Sequence, residues 1–261
     1  MKLSLIILTH NNQDFLSNCI KSAIDIADEI IICDKKSTDN TLTIAKKYQA
    51  KITHFSGQYF DEWRNFAAQS AKGDWLLYLD PDERLSPSLK KEIANVIKTN
   101  TVYSALKISR KNYWWAKHFI YCGASPDYVT RLIQKDKLVK WQGIIHESPI
   151  IDGEIGTLKA QIIHLTHRDL VSGLKKSYQW TQLEAQLFYQ AQHKPVKTRN
   201  LFSVILKTFF YKYFKQKGYR HGIEGFIESA VQAINRFMVY VNLWQLQQKP
   251  SLEKKYQQLD N

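Results

Sequence analysis

The sequence predicts an α/β fold in which helices sandwich a mostly parallel sheet, followed by a helical C-terminal extension. Through the first hundred residues, apolar runs of strand length alternate with segments of helical spacing. Strands that are apolar on both faces are typical of a parallel sheet covered by helices on both sides. From residue 169 onward the spacing is helical, with breaks near Pro195, Gly218 and Pro250.

The alternation assigns each element of the first half. Strands are predicted at 3–9, 29–33, 51–55 and 74–79, and helices at 14–27, 41–48, 61–71 and 87–98. Asp39 or Ser37 is available to cap the second helix, and Pro87 suits the first position of the fourth. Shorter β-like pieces rich in Tyr and Trp follow, and we interpret them as the second half of the sheet: 103–110, 128–134 and 138–141.

Composition limits the class of protein. A chain of 261 residues with 44% hydrophobic and 23% charged residues is typical of a globular protein with one main core. The formal net charge of +13 predicts an anionic partner. No apolar run approaches the ~20 residues of a membrane-spanning helix, and the first apolar run is too short for a secretory signal. Cys19, Cys33 and Cys122 form no C-x-x-C pair, so we expect buried, reduced thiols and a cytosolic compartment.

Polar clusters follow three predicted strands. They begin at Thr9, Asp34 and Asp80. Because parallel strands end at the same edge of a sheet, we expect the clusters to meet there. Several carboxylates at one crevice need a cation between them, and Mg²⁺ or Mn²⁺ with oxygen ligands suits Asp80-x-Asp82. Taken alone, Asp80-Pro81-Asp82 is equally typical of a turn.

The same segments carry a resemblance to a known family. SLIILTHN (4–11), DEIIICDKKSTDNT (28–41), Arg64-Asn65 and GDWLLYLDPDE (73–83) occur in the order found in family 2 inverting glycosyltransferases with the Rossmann-like GT-A fold. The subgroup that the chain resembles is that of lipopolysaccharide core β-1,4-glucosyltransferases.

The resemblance implies a functional division of the chain. Residues 1–168 would form a GT-A catalytic domain, with a nucleotide-sugar-binding half at 1–100 and an acceptor half at 101–168. Residues 169–261 would form a basic, amphipathic helical extension.

The resemblance also implies a donor site and a metal site. Asp82 would bind Mg²⁺ or Mn²⁺ on the diphosphate, and Asp80 would hold the ribose or assist the metal. The chain departs from the family in two places: Asn12 stands where an acidic residue is usual, and Lys35-Lys36 replaces a small pair. The two lysines either attract phosphate or are simply solvated. The full set of implied donor-site residues is Thr9, Asn11, Asp34, Asp39, Arg64, Asn65, Asp80 and Arg131.

Inverting transfer needs one general base for the acceptor hydroxyl. Glu147 is the first candidate, because relatives in the subgroup carry a similar His-Glu segment, and Asp127 is the reserve. His164 is either a third metal ligand or a core histidine, and Arg131 either contacts the diphosphate or forms a structural ion pair. Trp141 is either a sugar-stacking platform or a core aromatic.

A basic and aromatic segment marks the C-terminal region. Between Glu184 and Glu224 the sequence has no acidic residue, and aromatic residues alternate with Lys194, Lys197, Arg199, Lys207, Lys212, Lys215, Lys217 and Arg220. Such a segment is typical of a helix that lies on an anionic membrane surface. We therefore expect a peripheral protein on the inner face of the cytoplasmic membrane. The alternative is a helix packed on the catalytic domain.

The expected partners are a UDP-sugar donor and a glycolipid or oligosaccharide acceptor. A nucleotidyltransferase is disfavoured, because the loop after the first strand has no glycine. A nucleic-acid-binding protein is disfavoured because no motif of that class is present and the clustered acids would repel phosphates. A non-catalytic relative that binds nucleotide-sugars remains an alternative. The sequence predicts no oligomeric state.

Overall fold

In the computed structural model of the chain, strand β1 (Leu3–Thr9) is buried along its whole length. Its side chains alternate between two cores. Leu5 and Ile7 pack into a cluster with α1 (Leu16–Ala23), whereas Ile6 packs on the opposite side of the sheet with α3 (Phe60–Gln69). Because helices cover both sides, most side chains of the strand are apolar, and the two polar ones, Ser4 and Thr9, are hydrogen-bonded.

The structure describes residues 1–99, 101–144, 147–166 and 168–259, and only the backbone of Ser172 and Lys176. The other helices of the first half are α2 (Thr41–Lys47) and α4 (Pro87–Lys98). The remaining strands are β2 (Glu29–Asp34), β3 (Lys51–His54), β4 (Trp75–Leu79), β5 (Glu83–Leu85), β6 (Ala105–Trp114), β7 (Lys117–His118), β8 (Tyr128–Gln134), β9 (Leu138–Gln142), β10 (Ser148–Ile151) and β11 (Ile155–Leu165).

The main sheet runs in the order β3-β2-β1-β4-β8-β6-β11-β5. The first four of these strands are parallel to one another. Strand β8 is antiparallel to both β4 and β6, β11 is parallel to β6, and β5 pairs with β11 in the antiparallel sense. Strands β9 and β10 form a separate antiparallel pair. The predicted α/β class is confirmed. The first four strands of the sheet are parallel as expected, whereas its second half is mixed.

Strand register brings the polar clusters to one edge. Thr9 lies beside Asp34 at the ends of β1 and β2. On the other side of the sheet's centre, His164 in β11 lies beside both Glu83 in β5 and Asn112 in β6. The carboxyl ends of the parallel strands therefore meet side chains from the sheet's second half, which is where open α/β sheets bind ligands.

Helix boundaries differ slightly from the predictions. Helix α1 begins late because the backbone N–H groups of Phe15 and Leu16 both donate to the Asn12 carbonyl, 3.0 Å away in each case, so residues 12–15 form a turn. Asn40 occupies the N-cap of α2 without a side-chain bond, while Asp39 accepts from the Thr41 N–H at 2.9 Å. The three cysteines are buried and unpaired, as predicted.

The C-terminal region is helical. Its helices are α5 (Leu170–Gln190), α6 (Thr198–Phe210), α7 (Ile223–Leu246) and α8 (Leu252–Leu259). A π-helical turn at Tyr211–Lys215 and a 3-10 turn at Gly218–His221 connect α6 to α7. The predicted helix breaks near Pro195, Gly218 and Pro250 are confirmed. Among the described residues, no helix is both long and apolar enough to cross a membrane.

The chain divides into two compact units. One consists of Met1–Tyr113 and Pro126–Thr166, and the other joins Trp114–Ser125 to the C-terminal helices. Hydrogen bonds explain why Trp114–Ser125 belongs with the helices: His221 Nε2 accepts from the backbone N–H groups of Ile120 and Tyr121 at 3.2 and 3.1 Å. The sequence analysis assigned Trp114–Ser125 to the acceptor half, and that functional division stays a prediction.

Two glycines provide a matched test of the packing. A Cβ at Gly73 would lie 2.6 Å from Ser4 Oγ and 2.9 Å from the Lys2 carbonyl, whereas a Cβ at Gly173 in α5 would meet nothing within 4 Å. We expect Gly73→Ala to lower the free energy of unfolding by about 1–3 kcal/mol. Gly173→Ala should raise it by about 0.5–1 kcal/mol, because alanine favours helix. Urea denaturation measures both, and equal effects of the two changes would contradict the packing at Gly73.

Candidate active site

A tight turn follows β4 and presents Asp82. The Glu83 N–H donates to the Asp80 carbonyl at 2.8 Å, and the Asp80 N–H donates to Glu83 Oε2 at 3.0 Å. Arg84 Nη1 donates to the carbonyls of Pro81 and Glu83, each at 2.6 Å. These hydrogen bonds hold the backbone of the turn that carries Asp82.

Arginines surround the Asp80 carboxylate. Arg131 binds both Asp80 and the fully buried Glu83, the latter at 2.7 Å. Arg64 donates to Asp80 Oδ1 at 3.3 Å and, through Nε, to Glu147 Oε1 at 2.8 Å. Burial by itself would raise the pKa of Asp80, but Arg131 and Arg64 outweigh burial and hold the pKa well below its usual range.

A second branch continues from Glu83. Arg110 Nη1 lies 3.6 Å from Glu83 Oε1, and the same guanidinium donates to both oxygens of Asp127 at 2.9 and 3.0 Å. Asn112 Nδ2 donates to Asp127 as well, at 2.9 Å. Burial raises the pKa of Asp127, but the bonds and charge of Arg110 outweigh it, so the pKa is lower than usual.

Asn112 sets the tautomer of His164. Since the Asn112 amide nitrogen donates to Asp127, its Oδ1 faces His164 Nδ1 at 2.6 Å, and the hydrogen-bond network assigns the ring proton to Nδ1. The lone pair of the neutral ring is then on Nε2, which lies 3.6 Å from Asp82 Oδ2. Two electron-pair donors that face each other at this distance suit a shared cation.

The site contains more negative than positive side chains among its linked groups. We call the linked groups Arg64, Asp80, Glu83, Arg110, Asp127, Arg131 and Glu147 the arginine–carboxylate network. Its four carboxylates exceed its three guanidinium groups, and Asp82 adds a further negative charge beside it. The linked groups therefore carry a net negative charge.

The predicted metal ligands are only partly brought together. In the described part of the chain, no group of three or more His, Cys, Asp or Glu side chains is arranged to hold a metal ion. Asp82 and His164 face each other, whereas the Asp80 carboxylate is bound by Arg64 and Arg131. Two protein ligands nevertheless fit Mg²⁺ or Mn²⁺, which complete their coordination with waters and substrate phosphates.

The loops after β1 and β2 are joined by hydrogen bonds. The Asn11 N–H donates to Ser37 Oγ and the Thr38 N–H donates to Asn11 Oδ1, both at 2.8 Å. The Gln13 N–H donates to Asp39 Oδ2 at 3.1 Å. The paired loops form a continuous polar edge, and Asn11, which has a positive φ of 53°, is exposed on it.

The predicted nucleoside residues Thr9 and Asp34 are buried. Asp34 accepts from the Ser37 hydroxyl at 2.5 Å and from the Ser37 N–H at 3.0 Å. Thr9 donates to Asn12 Oδ1 at 3.1 Å, and this oxygen also accepts from the His10 N–H at 3.0 Å. An amide oxygen at residue 12 thus supplies the acceptor that this turn requires, so the departure from the family pattern leaves the loop intact.

The family model for glycosyl transferase family 2 matches residues 4–148, more than half of the chain. The chain belongs to glycosyl transferase family 2. An uncharacterized glycosyltransferase of Rickettsia bellii is 27% identical, over 94% of this chain and 87% of that protein. The lipopolysaccharide core biosynthesis glycosyltransferase LpsC of Rhizobium meliloti is 23% identical, over 97% of each.

A solved structure supports the fold. The crystal structure of glucosyl-3-phosphoglycerate synthase from Mycobacterium tuberculosis, in complex with Mn²⁺, UDP and phosphoglyceric acid, superposes with a TM-score of 0.50. It is 14% identical and covers 72% of this chain and 78% of that one. The GT-A fold expected for this family 2 glycosyltransferase is confirmed.

Two side chains of the predicted donor site have internal partners in this glycosyltransferase. Arg64 lies 4.8 Å from the ring of Trp141. Asn65 Nδ2 donates to the Trp141 carbonyl at 2.9 Å, and Asn65 Oδ1 accepts from the Trp141 N–H at 2.8 Å. Trp141 is itself buried against Tyr78, 5.0 Å away. Trp141 is therefore a core aromatic and not a sugar platform. Arg64 and Asn65 hold β9 beside the site.

Lys35 is neither a solvated lysine nor a lysine directed at a phosphate. Its ammonium donates to the Gln58 carbonyl at 2.9 Å and lies 5.6 Å from the ring of Trp63. Burial lowers its pKa. The half-buried Lys35 is thus a packing residue, whereas Lys36 is exposed. His146, which precedes the candidate base Glu147, lies outside the described residues.

Sequence reasoning missed Glu83, Arg110 and Asn112 as members of the site. Arg110 and Asn112 occupy alternate positions of β6, so they point to the same face of the sheet. The sequence signal for Arg110 and Asn112 is their spacing: two polar residues, two positions apart, at the carboxyl end of a predicted strand. Glu83 lay within the recognised GDWLLYLDPDE segment, but nothing in the sequence indicated that it is fully buried.

The lowered pKa values of Asp80 and Asp127 predict acid sensitivity. A carboxyl group whose pKa is lower when folded stabilises the fold fully above its unfolded pKa, about 3.9, and loses that contribution as the pH falls. We expect the free energy of unfolding to decrease below about pH 4, and to decrease less steeply in Asp127→Asn. Urea titrations between pH 7 and 2.5 measure both slopes. The exposed Asp136→Asn variant should keep the wild-type slope, and an unchanged slope in Asp127→Asn would contradict the assignment.

Proposed function

We propose that this glycosyltransferase moves a hexose from a UDP-sugar to a hydroxyl of a lipopolysaccharide-core or related glycan, with inversion and with the help of Mg²⁺ or Mn²⁺. The observation that carries the proposal is the pair of Asp82 Oδ2 and His164 Nε2, 3.6 Å apart, at the carboxyl edge of a GT-A sheet. In an α/β sheet this edge is where a nucleotide ligand is expected.

The proposed donor position follows from the charges. Asp82 and His164 would hold the cation, which would offset the charge of the diphosphate leaving group. The paired loops around Asn11 and Asp39 would line the nucleoside, with Thr9 and Asp34 supporting them from below. UDP and Mn²⁺ are bound in the related mycobacterial synthase, and this motivates the choice of nucleotide and metal.

Glu147 is the proposed general base. Arg64 Nε binds Glu147 Oε1, and the described residues give the second oxygen, Oε2, no hydrogen-bond partner. That oxygen can accept the proton of an acceptor hydroxyl. The reserve candidate, Asp127, is less suited: its carboxylate accepts three hydrogen bonds from Arg110 and Asn112, and its lowered pKa makes it a weaker base.

The proposed acceptor is a glycan carried on a lipid. LpsC of Rhizobium meliloti acts in lipopolysaccharide core biosynthesis and aligns with this chain over 97% of both lengths. The net charge of +13 is consistent with an anionic acceptor or surface. Catalysis on the cytoplasmic face of a membrane would bring the soluble donor and the lipid-linked acceptor together.

Metal dependence of donor binding tests the assignment of Asp82 and His164. We expect UDP to raise the melting temperature only when Mg²⁺ or Mn²⁺ is present, because the diphosphate and the carboxylates repel each other without a cation. Differential scanning fluorimetry in Mn²⁺ and in EDTA measures the shift. Equal stabilisation by UDP in EDTA would refute the metal site.

Three variants sharpen this test. Asp82→Asn should abolish the shift that depends on Mn²⁺, and the exposed Asp136→Asn should retain it. Asn112→Leu removes the bond that holds His164 in its tautomer, and should weaken Mn²⁺ binding by about 10–100-fold. Isothermal titration with Mn²⁺ and UDP provides this reading without any turnover.

Glu147→Gln separates the base from donor binding. The variant should keep the UDP-Mn²⁺ stabilisation but lose about 10²–10⁴-fold in kcat, because glutamine cannot accept the proton. Turnover is measured as UDP release in the presence of a lipopolysaccharide-core acceptor. If Glu147→Gln kept near-normal turnover while Asp127→Asn lost it, the base would be Asp127.

A further inference from the structure

Helix α6 and the turn after it leave a row of large apolar side chains uncovered. We call Phe202, Leu206, Phe210 and Phe214 the apolar row; their exposed fractions are 68%, 56%, 52% and 55%. They recur every four residues, so they lie along one side of the helix. Scattered exposed hydrophobic residues are ordinary on protein surfaces, but a contiguous row marks an interaction site.

The opposite side of α6 is already used for packing. Phe209 lies 5.4 Å from the ring of Phe226 in α7, and 5.5 Å from Tyr213. Tyr213 also contacts Phe226, with the ring centroids 5.8 Å apart. One apolar side of α6 thus packs on α7, and a second apolar side of the same helix is exposed. The core of this unit therefore does not account for the apolar row.

Basic side chains flank the row. Lys207, Lys215, Lys217 and Arg220 are exposed, and we call them the basic rim. No acidic residue occurs between Glu184 and Glu224 to offset them. Lys212 has a different role, because it is half-buried and its Nζ donates to the Cys122 carbonyl at 3.3 Å.

We propose that α6 and the turn after it lie in the interface of an anionic membrane, with the apolar row inserted among the acyl chains and the basic rim on the lipid headgroups. Apolar area and charge of this kind are what an interfacial helix uses to bind. The proposal goes beyond the transfer reaction and does not depend on it.

The surface fits lipid better than the other possible partners. A second copy of the chain would bring two basic rims together, and like charges repel. A single-stranded nucleic acid would need splayed aromatic rings for stacking, but Phe210 and Phe214 stack on each other, with centroids 5.6 Å apart and planes at 16°. Leu206, in the middle of the row, offers no ring at all.

Vesicle flotation with four designed variants tests the two components separately. The row variant is Phe202→Gln with Phe210→Gln, and its control is Val102→Gln with Val139→Gln, which are exposed elsewhere. The rim variant is Lys207→Gln, Lys215→Gln and Lys217→Gln. Its control is Lys46→Gln, Lys47→Gln and Lys98→Gln, which removes the same number of positive charges from exposed positions in the other unit. Circular dichroism checks that each variant is folded.

We expect the wild-type protein and both controls to float with vesicles of phosphatidylcholine and phosphatidylglycerol at 0.1 M salt, and to float poorly with phosphatidylcholine alone. The row variant should bind about tenfold or more weakly, because buried apolar area is lost. The rim variant should also bind weakly. Wild-type binding should fall at 1 M salt, where the screening length decreases from about 10 Å to about 3 Å.

Four outcomes would overturn the proposal. If the wild-type protein did not float with anionic vesicles, it would have no membrane-binding surface. If the row variant floated like the wild type, Phe202 and Phe210 would not insert into the membrane. Concentration-dependent self-association that the row variant abolishes, without vesicle binding, would make the row a subunit interface. Phe210→Trp gives an independent reading: its fluorescence should shift to the blue with anionic vesicles, and an unchanged spectrum would contradict insertion. Vesicle binding needs no donor, so its failure leaves the proposed transfer reaction intact.

Discussion

The buried contact of Arg131 with Asp80 and Glu83 is the interaction on which the rest of the site depends. Glu83 is fully buried and Arg131 is 3% exposed, whereas the Asp80 side chain is 29% exposed, so the two buried charges depend mainly on their ion pairs for stabilisation. Removing one partner of such a group leaves an uncompensated buried charge, which typically costs about 3–5 kcal/mol. The contact also connects β8 to the turn between β4 and β5. The position of Asp82 therefore depends on it.

Two branches leave this contact and end at the two groups proposed to do chemistry. One passes from Asp80 through Arg64 to Glu147, the proposed base. The other passes from Glu83 through Arg110, Asp127 and Asn112 to His164, the proposed metal ligand. Asn112 thus holds His164 and Arg64 holds Glu147, and both holding groups are themselves bound to carboxylates, which is how a site is kept in a productive geometry.

The distribution of charge separates the two proposed binding functions. In the arginine–carboxylate network four carboxylates face three guanidinium groups, and for this reason the proposed diphosphate site includes a cation. The apolar row and the basic rim contain no acidic residue. The protein would therefore bind anions in two ways. A small anion would be held through a bound cation, and an extended anionic surface would be held directly by lysine and arginine.

The sequence alone determined the first half of the sheet and the edge at which its polar loops meet. The apolar runs could only be buried strands, and parallel strands bring residues such as Thr9, Asp34 and Asp80 to one end. Only the tertiary structure decided which partner each carboxylate of the turn faces. Asp80 and Asp82 are two residues apart in one turn, yet one faces arginines and the other faces His164. The partners come from β8, α3 and β11, which only the tertiary fold brings to this turn. The helical spacing of α6 likewise showed apolar side chains on several sides, and packing on α7 determined which of them stays exposed, since only one side of a helix can face its neighbour.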